Sequence, residues 1–135
     1  MLQLLDDLQD VGRDLQAGHA TLFSHGAAAG PLDALTSRLS DFLRRVLGNS
    51  ERFADPRFDA VKELIERGCR LLILNAVAVN AEFFSAGYAN RLETCSPFSF
   101  AFIRDRRRTL GKKYEKAKRT LARERGLDSV LRVLD

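Results

Sequence analysis

Residues 71–79 read LLILNAVAV, and this stretch decides the fold class. It continues a longer segment in which apolar residues such as Val61, Leu64 and Val79 recur at helical spacing. Such spacing is typical of an α-helix, and a helix that is apolar on every side must be covered on every side. A buried strand has a similar composition, but the flanking helical pattern and the lack of hairpin turns favour a helix. We therefore predict that this segment is the central helix of the fold.

The segments on both sides of the central helix also show helical spacing. Apolar residues recur in this way over 2–15 and over 31–47, and a Ser-Pro pair begins a last helix over 97–125. A serine before a first-turn proline is a common helix start. The glycine-bracketed stretch 18–30 has no sustained period, so we predict a connection there. Together the patterns predict an all-α, single-domain bundle of four to five helices over 1–135, with a long basic C-terminal helix.

Two asparagines, Asn75 and Asn80, fall within the apolar part of the predicted central helix. An amide that is buried without a hydrogen-bond partner costs on the order of a few kcal/mol. We therefore predict that both amides have partners, for example across a contact with another helix. They are either satisfied core amides or a pair that contacts a ligand or sets the helix register.

The composition is that of a globular protein, since 45% of the residues are apolar and 30% are charged. The N-terminus MLQLLDD lacks a basic region, so we do not expect it to act as a secretory signal. The longest apolar run is far shorter than the ~20 residues that cross a bilayer. Two cysteines without CxxC spacing do not make a disulfide framework, so we expect a soluble, cytoplasmic protein.

Charge is divided unevenly along the chain. Residues 104–125 carry eleven basic and three acidic side chains, a net charge of +8, whereas the rest of the chain carries a net charge of −4. Much of the acid lies in the predicted first helix, at Asp6, Asp7, Asp10 and Asp14. Such a division predicts a partner for the basic end, either another molecule or the acidic end of the same protein.

No residue pattern indicates catalysis, a cofactor or a metal. His19 and His25 are the only histidines and lack further ligands at zinc spacing, so we expect no metal role. Gly111-Lys112 has no upstream P-loop glycine. Cys95 precedes a predicted helix start, where a thiol can be reactive, but an unreactive structural thiol is the simpler interpretation. We predict a protein that is not an enzyme, with no cofactor and no identified small-molecule substrate.

The basic C-terminal helix is the predicted functional segment. At about 100° per residue, one side carries a heptad-like seam that we predict to face the bundle: Ile103, Leu110, Tyr114, Ala117 and Leu121. Cations cover the other sides. The residues that we predict to bind a partner or phosphate are Arg104, Arg106, Arg107, Arg108, Lys112, Lys113, Lys116, Lys118, Arg119 and Arg123.

We consider three interpretations of this helix. The first is a protein–protein interaction or adaptor module, in which the acidic and basic helices form complementary surfaces within a homo-oligomer or with another protein. The alternative is nucleic-acid binding through phosphate contacts of 104–125. Against it stand the lack of a known nucleic-acid-binding signature and the position of Tyr114 on the seam, which leaves no exposed aromatic ring. The third is an anionic membrane surface. We favour the first.

Overall fold

The computed structural model describes residues 2–48 and 55–124, and all regular elements in this part are helices. The seven α-helices there are α1 (Leu2–Gln9), α2 (Val11–Ala17), α3 (Leu22–Ala29), α4 (Asp33–Gly48), α5 (Asp59–Val79), α6 (Ala86–Thr94) and α7 (Phe100–Glu124). Short 3-10 helices, Pro56–Phe58 and Ala81–Phe83, precede and follow α5. The all-α prediction is confirmed, whereas the predicted count of four to five helices is wrong.

The predicted first helix is two helices, because the chain turns at Asp10 between α1 and α2. The buried side chain of Asn80, at the end of α5, donates from Nδ2 to the carbonyl oxygens of Leu8 (3.3 Å) and Gln9 (3.0 Å). The last carbonyls of a helix lack partners within it, so this amide caps α1 from another helix. The prediction that Asn80 finds a partner is confirmed; Asn75 is half-buried.

The stretch 18–30, which the sequence predicts to be a connection, contains helix α3. Thr21 Oγ1 accepts from the N–H of Ser24 (3.1 Å), and Ser24 Oγ accepts from the N–H of Thr21 (2.8 Å). This reciprocal capping box fixes the start of the helix. Phe23 then inserts into the core, where it is 1% exposed.

The N-terminal ends of α4 and α6 are joined through Asp33. Its carboxylate accepts from the N–H of Ser85 (3.0 Å) and from the Ser85 hydroxyl, and Ser85 Oγ in turn accepts from the N–H of Tyr88 (3.2 Å). The Tyr88 ring stacks on Phe84 with 5.9 Å between the ring centroids, and burial raises the pKa of its phenol. Because a helix N-terminus favours negative charge, the Asp33 carboxylate stabilises both helix starts.

Helix α5 is the predicted central helix, and its C-terminal half forms much of the core through Ile73, Leu74, Ala76, Val77 and Ala78. The prediction that it is covered on every side is wrong, because Leu64, Leu71 and Leu72 are 71%, 50% and 39% exposed. Helical register places Leu64 and Leu71 roughly opposite the buried Ile73. Although α5 has 21 residues, no helix in the described part is long and apolar enough to cross a membrane.

The chain divides into two compact units, Met1–Phe100 and Ala101–Asp135. The first unit contains the buried core, which includes Leu5, Leu8, Val11, Phe23, Leu32, Leu39, Leu43 and Val77. The described part of the second unit is the remainder of α7. The assignment of one domain to residues 1–135 stays a prediction.

Candidate functional site

The basic helix α7 begins at Phe100, three residues later than the sequence predicts. The Phe100 N–H donates to the carboxylate of Glu93 (2.6 Å), and its side chain is buried. The predicted cap, Ser96, forms a turn, since its hydroxyl donates to the Phe98 carbonyl (2.7 Å) and accepts from the Phe98 N–H (3.3 Å). A carboxylate satisfies an orphan N–H and the positive end of the helix dipole. Glu93 therefore sets the start of α7, a role that no local sequence pattern indicates.

The predicted binding cations are exposed wherever the structure describes their side chains: Arg104, Arg106, Arg107, Arg108, Lys112, Lys113, Lys116, Lys118 and Arg119. Arg123 belongs to the last turn of α7, where the side chains lie outside the described part. Arg108 makes an ion pair with Asp105 (2.7 Å). An exposed pair of this kind contributes about 1 kcal/mol or less, so Arg108 can still bind another anion.

The apolar seam of α7 is the main departure from the predicted site. Leu110 and Tyr114 are 52% and 69% exposed, Ala117 is also exposed, and Ile103 is half-buried. The prediction that the seam is covered by the bundle is therefore wrong for Leu110, Tyr114 and Ala117, while the Leu121 side chain lies outside the described part. A seam of this spacing indicates that a partner helix is needed, but not which helix supplies it. Its exposure also places the ring of Tyr114 on the surface among cations.

The acidic side chains of α1 and α2 form a surface of opposite charge. Asp6 is exposed, whereas Asp14 is only 7% exposed. Arg13, the one basic residue of these helices, forms an ion pair with Asp10. Partial burial raises the pKa of Asp7, and the negative charges of Asp14, Asp6 and Asp10 raise it further. The four carboxylates thus share one electrostatic field, which favours a cationic partner.

The histidines and Ser24 have structural surroundings. His19 Nδ1 lies 3.5 Å from the Asp14 carboxylate, and the backbone N–H of His19 donates to the backbone carbonyl of Asp14 (2.8 Å). The Ser24 hydroxyl, beside His25 in sequence, donates to the His19 carbonyl (2.7 Å) and belongs to the α3 cap. Among the described residues, no three His, Cys, Asp or Glu side chains are grouped so as to hold a metal ion.

The two cysteines differ in environment. Cys69 is buried on α5, and this burial raises the pKa of its thiol. Cys95 is exposed, but it forms the C-terminal cap of α6 and does not lie at the start of α7. The expectation that Cys95 lies beside a helix N-terminus is therefore wrong. The C-terminal end of a helix presents carbonyls, which do not activate a thiol.

The exposed seam and cations of α7 are one candidate functional surface, and the acidic side chains of α1 and α2 are a second, separate one. Comparison of the chain with protein-family models, with curated protein sequences and with solved structures gives no match.

Proposed function

We propose that the protein is a non-enzymatic helical interaction module, in which α7 docks on an acidic helical surface of a protein partner, including a second copy of this chain. The observation that carries the proposal is the exposure of Leu110 and Tyr114, 52% and 69%, within the most basic segment of the chain. Burying one large apolar side chain contributes about 1.5–3 kcal/mol. A helix that served only as a solvated surface has no need of such residues on the side between its cations.

Charge supplies the selectivity of this contact. The cations of α7 and the aspartates of α1 and α2 have opposite signs, so two copies attract when the basic helix of one meets the acidic helices of the other. Charges on exposed surfaces are screened over about 8 Å at physiological salt. We therefore expect self-association to weaken with salt without being abolished, because the apolar part of the contact is not screened.

The test is the mass of the full-length chain in solution over a wide concentration range, measured by sedimentation at low and high salt. We expect the average mass to rise with concentration and Leu110→Glu to hold it at the monomer value. Thr109→Glu is the matched control, since it adds the same charge at the adjacent exposed position outside the seam. A strictly monomeric wild-type mass at every concentration, without α1–α7 cross-links, would contradict the proposal.

A second candidate function is nucleic-acid binding, and the exposure of Tyr114 is the observation that favours it. Proteins that bind single strands combine a cationic track with aromatic rings on which bases stack, worth about 1–3 kcal/mol per base. Tyr114 is 69% exposed and follows Lys113, which is also exposed. From the sequence, the lack of an exposed aromatic ring on this helix counted against nucleic-acid binding. The exposure of Tyr114 removes that objection.

This second function is tested by fluorescence polarisation of labelled DNA and RNA at two salt concentrations. We expect an affinity that falls steeply with salt and is lost when Arg108, Lys112 and Arg119 are changed to Glu. The control carries the same three charge reversals on α4, at the exposed Arg38, Arg44 and Arg45. Equal loss in the control, or binding that survives the α7 reversals, would exclude α7 as the binding surface.

A further inference from the structure

The surface between α1 and α5 contains an open groove of about 460 Å³. Leu2, Leu5 and Leu72 supply its apolar lining, and Gln3, Asp6 and Gln9 supply its polar lining. Leu2 and Leu72 are 71% and 39% exposed, so these two side chains are accessible, whereas Leu5 is buried beneath them. We call this feature the α1/α5 groove.

Helix α5 presents further apolar residues beside the groove. Leu64 and Leu71 are both exposed, about 80–100° around the helix axis from Leu72. Gly68 lies between them, and a Cβ built at this glycine meets no atom within 4 Å. A residue without a side chain lets another backbone approach closely. Beside the groove, α5 is therefore open to the close approach of another helix.

Charge defines which helix this surface accepts. Asp6 lies in the lining itself, Asp7 follows on α1, and Asp10 lies between α1 and α2. Arg13, the one basic side chain of α1 and α2, is engaged with Asp10, and on α5 the guanidinium groups of Arg67 and Arg70 are ion-paired with Glu63 and Glu66. An amphipathic helix with cations beside a narrow apolar seam complements an apolar groove with an acidic rim.

This chain contains such a helix. Leu110, Tyr114 and Ala117 lie on one side of α7 within eight residues, 110–117, which is about 12 Å, and α1 also has eight residues. Lys113 and Lys118 flank this seam at helical spacing. We propose, building on the interaction module above, that the α1/α5 groove binds residues 110–117 of α7 from a second copy of this chain.

Reciprocal exchange makes the assembly a closed dimer. If each copy places its α7 in the groove of the other, the two contacts are identical and no groove is left open. The two contacts then form together, so each stabilises the other by raising the effective concentration of the second helix. The groove thus specifies both the partner and the stoichiometry.

The experiment is zero-length cross-linking of mixed isotopic copies. Full-length protein at natural abundance and ¹⁵N-labelled protein are mixed, treated with a carbodiimide that joins carboxylates to lysine amines, digested and examined by mass spectrometry. We expect mixed-isotope peptides that join Asp6 or Asp10 to Lys113 or Lys118, and a dimer mass. Leu72→Glu should weaken the dimer about tenfold or more, since the groove loses a buried leucine contact.

Matched variants keep the test decisive. Phe42→Glu is the control, because Phe42 on α4 is 40% exposed and Leu72 is 39% exposed, yet Phe42 does not line the groove. Gln3→Arg, at an exposed position of the lining, should also weaken the dimer and avoids any loss of folding at Leu72.

Three results would overturn the inference. Mixed-isotope cross-links of α7 that avoid α1, with a dimer indifferent to Gln3→Arg, overturn the groove but leave the interaction module standing. Cross-links of α1 to α7 found only within one isotope overturn the second copy as occupant. A monomeric mass with no α1–α7 cross-link of either kind overturns both the groove and the proposed function.

Discussion

Replacing Asn80 by alanine should remove the contact that joins the end of α5 to the end of α1. The Asn80 side chain is 6% exposed, and its Nδ2 donates to the Leu8 carbonyl (3.3 Å) and the Gln9 carbonyl (3.0 Å). Each hydrogen bond contributes about 0.5–1.5 kcal/mol net, and a buried acceptor left without a donor costs about 1–3 kcal/mol. The Leu8 bond is buried and the Gln9 bond is partly buried, so only the first acceptor carries the full penalty. We expect a loss of about 2–4 kcal/mol.

The assay is urea unfolding followed by circular dichroism at 222 nm, with the free energy obtained by linear extrapolation. Asn80→Ala should lower the midpoint without changing the urea dependence. Asn80→Asp should be at least as damaging, because it replaces the donor with a charge that faces two carbonyl oxygens. Asn90→Ala, at an exposed asparagine of α6, is the control. A loss below about 0.5 kcal/mol for Asn80→Ala would refute the claim that this amide holds α1 against α5.

Three further substitutions test other parts of the structure. Thr36 is fully buried and its Oγ1 has no hydrogen-bond partner within the described residues, so Thr36→Val should stabilise the fold by up to about 1 kcal/mol in the same urea assay, and a loss would contradict this. Ser85→Ala removes the cap of α6 and a donor to Asp33, and should cost about 1–2 kcal/mol; an unchanged midpoint would count against the cap. Cys95 should react quickly with a thiol reagent at pH 8 and Cys69 slowly, because Cys69 is buried and its raised pKa leaves little thiolate until the pH is higher. Cys95→Ser should remove the fast phase, and a fast phase that persists would contradict this assignment.

Helix content was predictable from sequence because it follows from local spacing. The apolar period of α5 predicts a buried central helix, and residues such as Ile73 and Val77 are buried there. The cost of an unpaired buried amide predicts a partner for Asn80, and the partner exists. Both predictions use forces that act on the residue itself, so no knowledge of the tertiary arrangement is needed.

The missed features depend on contacts between distant residues. The turn at Asp10 is capped by Asn80, which lies some seventy positions later in the chain. The start of α7 depends on Glu93, which lies in the preceding helix. Helix α3 was missed for a different reason, since its capping box uses serine at the third position in place of the usual glutamate or glutamine.

The exposed seam of α7 is a feature that the sequence predicted only in part. The spacing of Leu110, Tyr114 and Ala117 correctly identifies residues that share one side of a helix, but it carries no information on which surface covers them. The same holds for the side of α5 that presents Leu64 and Leu71. In both cases the apolar residues share one side of a helix, as the periodic pattern predicts. The further assumption, that one copy of the chain buries that side, does not hold.

Leu110 and Tyr114 separate the two proposed functions, because protein docking and base stacking use different properties of the same surface. Docking in an apolar groove needs aliphatic or aromatic area at both positions, so Leu110→Ala should weaken self-association about tenfold while Tyr114→Leu leaves it nearly unchanged. Base stacking needs a π-face, so Tyr114→Leu should weaken nucleic-acid binding about tenfold and Leu110→Ala should not. Neither substitution changes the charge of α7, so a difference between them cannot come from electrostatics. If Leu110→Ala and Tyr114→Leu had equal effects on self-association and on nucleic-acid binding, the proposed division of roles would be contradicted. The two kinds of binding would then depend on the same contact.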